Sequence, residues 1–140
     1  MVDRSSYVDI NIFVYWLGKH PRFGEAAYKW IKKIENSPRG EYVTSSLTVY
    51  ETLVIIAGLT GKCLRDKAFT EEIINCMTRI KGLMIEPLRP EDFTRAVDLM
   101  KEYGLDYEDA VHLAVAMRTG AQEILSNDKH FDVGPIKRNM

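Results

Sequence analysis

Short apolar segments alternate along the whole chain with longer stretches of helical periodicity, and only brief turns separate them. This alternation constrains the fold more than any single motif. Strands joined through helices lie parallel in one sheet, and that sheet is covered on both faces. Tyr7 to Ile10 reads as a short strand leading into the apolar run Ile12 to Leu17, and Glu25 to Ile34 sets Ala26, Trp30, Ile31 and Ile34 at helical spacing. Tyr42 to Thr44 is a second strand. Ser46 or a neighbour caps a helix through Ala57, and Asp66 to Ile80 continues helically. Leu83 to Ile85 is a third strand. Pro90 suits the first turn of a helix ending at Gly104, and Asp106 caps another that reaches Arg118 before Gly120. Glu123 to Ser126 is a fourth strand, with a short fifth near Ile136 to Arg138. The expected fold is α/β: three layers, α/β/α, around a central parallel sheet of four or five short strands.

With 140 residues, no internal repeat, no low-complexity segment and no long Gly/Ser linker, residues 1–140 are expected to form a single domain. Lys plus Arg number 19 against 20 Asp plus Glu, a formal charge of −1, so any nucleic-acid contact must come from local cations rather than a polybasic coat. Cys63, Cys76, His20, His112 and His130 lack the spacing of a zinc site. Reduced thiols are the expectation. Asp3 and Arg4 charge the N-terminus, and no run approaches the roughly 18 apolar residues of a membrane span, so a soluble cytoplasmic protein is expected.

Sheets of this kind bind ligands beyond the carboxyl ends of their strands, and two acids, Asp9 and Asp128, fall at such ends. Each has a plain structural reading: Asp9 or Asn11 caps the next helix, and Ser126-Asn127-Asp128 builds a turn. Glu51 is harder to explain this way, because Leu47, Val54 and Ile55 put it on an apolar helix face. It needs a rotated helix, an ion pair with an Arg, or a metal. Asp109 falls three residues after Asp106, where it can complete a capping box. His112, one turn on, reads as solvated or as support behind a ligand, Phe131 as an anchor of the turn, and Asp132 as a reserve ligand.

Four segments in this order resemble the PIN-domain ribonucleases, particularly the VapC-like toxins of toxin–antitoxin systems. They are Tyr7-Val8-Asp9-Ile10-Asn11-Ile12-Phe13, Ser46-Leu47-Thr48-Val49-Tyr50-Glu51, Leu105 through Ala116 around Asp109-Ala110, and Ser126-Asn127-Asp128-Lys129-His130-Phe131. The resemblance spans nearly the whole chain. Ile10 departs from it, since the family usually has a small hydroxyl residue there. The resemblance implies that Asp9, Glu51, Asp109 and Asp128 are the four acidic site residues, catalytic and metal-binding, with Asn11 and Ser126 as accessory polar groups. Asp106 and Asp132 are further accessory candidates. It also implies metal-dependent hydrolysis of RNA, a homodimer and a cognate antitoxin protein filling the cleft.

Elementary electrostatics agrees with a cation at such a site. Two like charges about 4 Å apart repel by roughly 4 kcal/mol at an effective dielectric of 20, so gathered carboxylates call for cations. Hard oxygen ligands without Cys or paired His favour Mg²⁺ or Mn²⁺. On this reading Asp9 bridges or anchors the principal metal, Asp109 and Asp128 complete the cage, and Glu51 ligates directly or orients a water as base. Lys19, His20 and Arg22 in the turn after the first helix, with Lys129 and His130, are the local cations available to RNA phosphates.

Other readings fit less well. A phosphatase of the haloacid dehalogenase type wants a second acid two residues after Asp9, where Asn11 cannot donate the required proton. Gly58-Leu59-Thr60-Gly61-Lys62 mimics a phosphate loop, but its glycines are too close and Cys63 replaces the metal-binding hydroxyl. The remaining rivals are a non-catalytic interaction domain, using aromatics such as Tyr15, Trp16, Tyr28 and Trp30, and an RNA-processing nuclease without an antitoxin.

Overall fold

Tyr7 and Val8 are wholly buried and face opposite sides of one sheet, as the period of two in a strand requires. A computed structural model describes residues 5–140; Asp3 and Arg4 lie outside the described residues. The elements run β1 (Ser5–Val8), α1 (Ile10–Leu17), α2 (Gly24–Glu35), β2 (Tyr42–Ser45), α3 (Ser46–Thr60), α4 (Lys67–Thr78), β3 (Leu83–Glu86), α5 (Pro90–Tyr103), α6 (Tyr107–Arg118), β4 (Ala121–Leu125), a 3-10 turn (Lys129–Val133) and β5 (Lys137–Asn139). All strands pair in parallel, in the order β3-β2-β1-β4-β5. The fifth strand is therefore real, and the sheet is the parallel one expected from alternation.

The two faces bury separate clusters. Tyr7, Val43 and Ile124 pack with Leu99, Leu113 and Phe131 on the side of α5 and α6. Val8, Tyr42 and Leu125 pack with Phe13, Ile31, Ile34 and Met77 on the side of α1, α2 and α4. Phe131 is 1 % exposed and anchors its turn as the sequence suggested. Gly82 lets the turn before β3 come close to α2, because a Cβ there would meet the Ile34 carbonyl oxygen at 1.8 Å. Among the described residues no helix is long and apolar enough to cross a membrane.

Several boundaries differ from expectation, each for a local reason. Ile10 belongs to α1 rather than to the first strand, because Asp9 already takes the extended conformation of an N-cap. Of Ser46 and its neighbours, Ser45 is the one that caps α3, as the sequence allowed, its Oγ accepting the Thr48 N–H at 3.4 Å. That helix continues to Thr60 and ends on Gly61 at φ +68°, so the glycines of the mimic phosphate loop serve a helix terminus. The fourth helix stops at Thr78, two residues early, and β4 begins at Ala121.

Arg118 clamps the end of α6 to the start of α5. Its Nε and one terminal nitrogen donate to the two Asp92 oxygens at 2.8 and 2.9 Å, and the other reaches Glu86 at 2.6 Å. Asp92 also accepts the Arg89 N–H at 2.9 Å, closing the first turn of α5. Burial pushes the Asp92 carboxyl up, but the bonds from Arg118 and Arg89 outweigh it and hold the group below the usual carboxylate range. Replacing Arg118 with Ala strands a buried carboxylate. The expected cost is about 3 kcal/mol, read as a lower urea midpoint at unchanged slope. An unchanged midpoint would show the clamp to be ornamental.

Candidate active site

The strand order reverses between β1 and β4: the chain moves from β1 to β2 and β3, then returns to the other flank of β1. Crevices at such reversals are where parallel sheets bind ligands. Val8 pairs with Leu125, and the Asp9 N–H donates to the Leu125 carbonyl at 3.0 Å, so the segments carrying Asp9 and Asp128 leave the sheet side by side.

Ser126 ties those segments together. Its hydroxyl donates to Asp9 Oδ2 at 2.7 Å and accepts the Asp128 N–H at 2.9 Å. Asn11 reaches the same loop, its Oδ1 accepting the Asn127 N–H at 3.3 Å and its Nδ2 donating to Ser126 Oγ at 3.4 Å. Asp9 occupies the N-cap position of α1 but makes no capping bond, so its carboxylate is committed to Ser126 rather than to the helix. It is 3 % exposed, and burial pushes its pKa up against the lowering effects of His112 and Ser126.

Asp106 caps α6 by accepting the Asp109 N–H at 2.9 Å, which leaves the Asp109 carboxylate free of capping duty. His130 Nδ1 lies 3.2 Å from Asp128 Oδ1 and 3.8 Å from Asp109 Oδ2. One ligand atom from each of Asp109, Asp128 and His130 falls within 4.8 Å of the others. Burial, followed by the charges of Asp106, Asp128 and Asp9, raises the Asp109 carboxyl to about 7. Asp128 also performs the turn role, its Oδ1 accepting the His130 N–H at 2.9 Å.

Glu51 is held by a histidine rather than by an arginine. His112, 2 % exposed, contacts Glu51 Oε1 through Nε2 at 2.6 Å and the Tyr7 hydroxyl through Nδ1 at 2.6 Å. The Tyr7 hydroxyl donates onward to Ser45 Oγ at 3.0 Å. With that proton directed at Ser45, both imidazole nitrogens act as donors and the ring is cationic. Burial opposes the charge, but Tyr7, Glu51 and Asp9 outweigh it and hold the His112 pKa well above its ordinary value. Of the two sequence readings of His112, the solvated one is corrected and the one that puts it behind an acidic residue fits. Glu108 is a further acid at this edge, its carboxyl pushed up by the neighbouring Glu51.

The structure gathers the sequence candidates unevenly. Asp109 and Asp128 meet directly, Asp9 joins them through Ser126, and Glu51 is held from behind by the more deeply buried His112. Asp132 instead pairs with Arg138, whose Nε donates to it at 2.8 Å. Tyr7 and Glu108 were not singled out as site residues from sequence, and His112 was read only as solvated or as support behind a ligand. The unbroken apolar run around His112, Ala110 to Ala116, was the signal that it is buried. The donor set of carboxylates and one imidazole, without thiols, suits Mg²⁺ or Mn²⁺.

Residues 6–135 match the PIN domain family. No curated protein matches the sequence. Among solved structures, the chain resembles VapC20 of Mycobacterium tuberculosis, described as a toxin that cleaves the sarcin–ricin loop. The TM-score is 0.73 at 13 % identity, over 94 % of this chain and 96 % of the other. It also resembles a toxin–antitoxin complex from Klebsiella pneumoniae, with TM-score 0.66, 20 % identity and 97 % of each chain covered. A third likeness is to VapBC2 of Rickettsia felis bound to a fragment of promoter DNA, with TM-score 0.66, 17 % identity and 96 % of each chain. At these identities the likeness concerns the fold.

The raised groups set a direction for stability. Asp109 binds its proton more tightly folded, about 7, than at its ordinary 3.8, so its contribution declines as pH rises through that interval. The raised His112 contributes fully below its ordinary 6.5 and loses that contribution at higher pH, in the same direction. Metal-free protein is expected to show a lower Tm at about pH 8 than at about pH 5, and Mn²⁺ to raise Tm more at the higher pH. A flat Tm profile with no Mn²⁺ shift would contradict this account of the cluster.

Proposed function

The chain belongs to the PIN-domain family, and from that premise we propose that it is a Mg²⁺- or Mn²⁺-dependent endoribonuclease, the toxin of a type II toxin–antitoxin pair. The observation that carries the reading is the meeting of Asp109, Asp128 and His130 at the strand-order reversal, with Asp9 tied in through Ser126. Asp109 and Asp128 hold the divalent cation, Asp9 supports it from the sheet end, and Asn11 with Ser126 fixes the loop between them. When bound, the cation lowers the pKa of an attacking water and stabilises charge on the phosphodiester oxygens.

Glu51 has a different task on this reading. Its bond to His112 keeps one carboxylate oxygen occupied, so Glu51 orients the water and accepts its proton rather than joining the cage. His112 fixes that carboxylate in direction. Asp106 keeps α6 starting where Asp109 needs it.

The partners follow from chemistry and fold. Tyr50 and Leu59 on α3 are 62 % and 66 % exposed, and Val54 and Ile55 lie beside them, an apolar stripe that suits a second copy of the chain. The fold's likeness to structures of toxin–antitoxin complexes supports a cognate antitoxin. RNA as substrate places its work in the cytoplasm.

The test is cleavage of a broad panel of RNAs with Mg²⁺ or Mn²⁺, with EDTA, and with Asp9→Asn and Asp109→Asn variants that retain their circular dichroism. Each variant is expected to lose on the order of a hundredfold in rate, and EDTA to abolish cleavage. Activity persisting in both variants would remove the assigned site. Folded wild-type protein that cleaves nothing in the panel would favour the interaction-domain reading.

A further inference from the structure

Around the turn between α1 and α2, Tyr15 and Trp16 pack on the core with one side only, while Tyr28 is 44 % exposed. Tyr15, His20 and Phe23 pack mutually, with ring centroids 4.9 to 5.2 Å apart. The Arg22 guanidinium lies 5.0 Å over the Phe23 ring. His20 Nδ1 accepts the N–H groups of Arg22 and Phe23, both at 3.0 Å, so the ring is fixed and its remaining N–H is on Nε2. Among the described residues, neither Lys19 nor Arg22 has a carboxylate partner. Beside this cluster is a cavity of about 360 Å³ lined by Trp16, Lys19, His20, Gly24, Glu25 and Tyr28.

The turn is tied to the carboxylates. Asn127, the residue before Asp128, donates through Nδ2 to the Tyr15 hydroxyl at 3.3 Å. Tyr15 in turn packs its ring on His20, which lines the cavity, so the loop of Asp128 and the cavity are joined through two side chains. The cavity surface offers aromatic faces with Lys19 in the lining and Arg22 beside it. The one acid in the lining, Glu25, lies 4.0 Å from Lys29, and the whole suits an occupant that is both flat and anionic.

Resting on the ribonuclease reading, we propose that the α1–α2 turn is a nucleotide subsite. One unpaired base of the RNA stacks in the cavity against Trp16 and Tyr28 while Lys19 and Arg22 engage the flanking phosphates. A base inside a duplex already has both faces stacked, so the subsite selects single-stranded or looped RNA. An acidic peptide supplies charge but no flat ring for the cavity.

The experiment measures binding of a short fluorescein-labelled single-stranded RNA of mixed sequence by full-length protein in EDTA, where cleavage is suppressed. Its duplex form and polyglutamate serve as comparison ligands. Tyr28→Ala is expected to raise Kd about tenfold, and the double variant Lys19→Glu, Arg22→Glu to reduce the salt dependence of binding. Iodouridine-substituted RNA is expected to crosslink to the peptides containing Trp16 and Tyr28. In cleavage assays with Mn²⁺, Tyr28→Ala is expected to raise KM and leave kcat unchanged. Unchanged Kd in both variants, duplex or polyglutamate binding as tight as the single strand, or crosslinks only outside the turn would each overturn the subsite. If Asp109→Asn abolishes cleavage while those results stand, the subsite fails alone. If wild-type protein neither binds nor cleaves RNA, both readings fall.

Discussion

A buried imidazole bonded at both nitrogens joins the parts of this molecule that would otherwise repel one another. Through His112, helix α6 contacts Glu51 on α3 and Tyr7 on β1, each at 2.6 Å, and Tyr7 passes the chain of bonds to Ser45. Burying a lone ion is expensive, and so is crowding carboxylates; placing the cation among the acids offsets both costs. Asp9 feels the same charge, which partly counters the effect of burial on its carboxyl. The acidic edge is thus supported from behind by the fold itself.

The scaffold spends few residues on precision. Asp106 takes the capping bond, so Asp109 does not; Ser126 takes Asp9, so α1 goes without a side-chain cap. The missing cap costs α1 on the order of 1 kcal/mol, and the loss is local to the functional edge. At the opposite end of α6, the Arg118 clamp sets the register of the helix that presents Asp109 and His112. Asp9 and Asp109 are thus released from helix capping by the residues next to them, while Asp128 still serves its own turn.

Much of this was legible in the chain. Alternation predicted the parallel layers, and the acids at the ends of the first and fourth strands stood out because helices and turns rarely need so many. Glu51 was visible as an anomaly on an apolar face, but its partner was not, because His112 lies 61 residues away on another helix. Nothing local distinguishes a histidine that will be buried from one that will be solvated except its company, here Ala110 to Ala116. Strand order was equally hidden, since the return of β4 to the free flank of β1, opposite β2, is a tertiary choice. His130 read as a cation for phosphates, yet its ring nitrogen lies 3.2 Å from Asp128.

The pairing of β1 with β4 also has a temporal meaning. Asp9 and Ser126 bond across a sequence separation of 117 residues, so the two flanks of the acidic edge come from near the beginning and near the end of the chain. During synthesis the first strand, its helix and the β2 pairing can form early, but Ser126 and Asp128 do not yet exist. The carboxylates therefore gather only after residues 126–128 have been made. A growing chain lacks the assembled acidic edge of its folded form until residues on both sides of that bond exist.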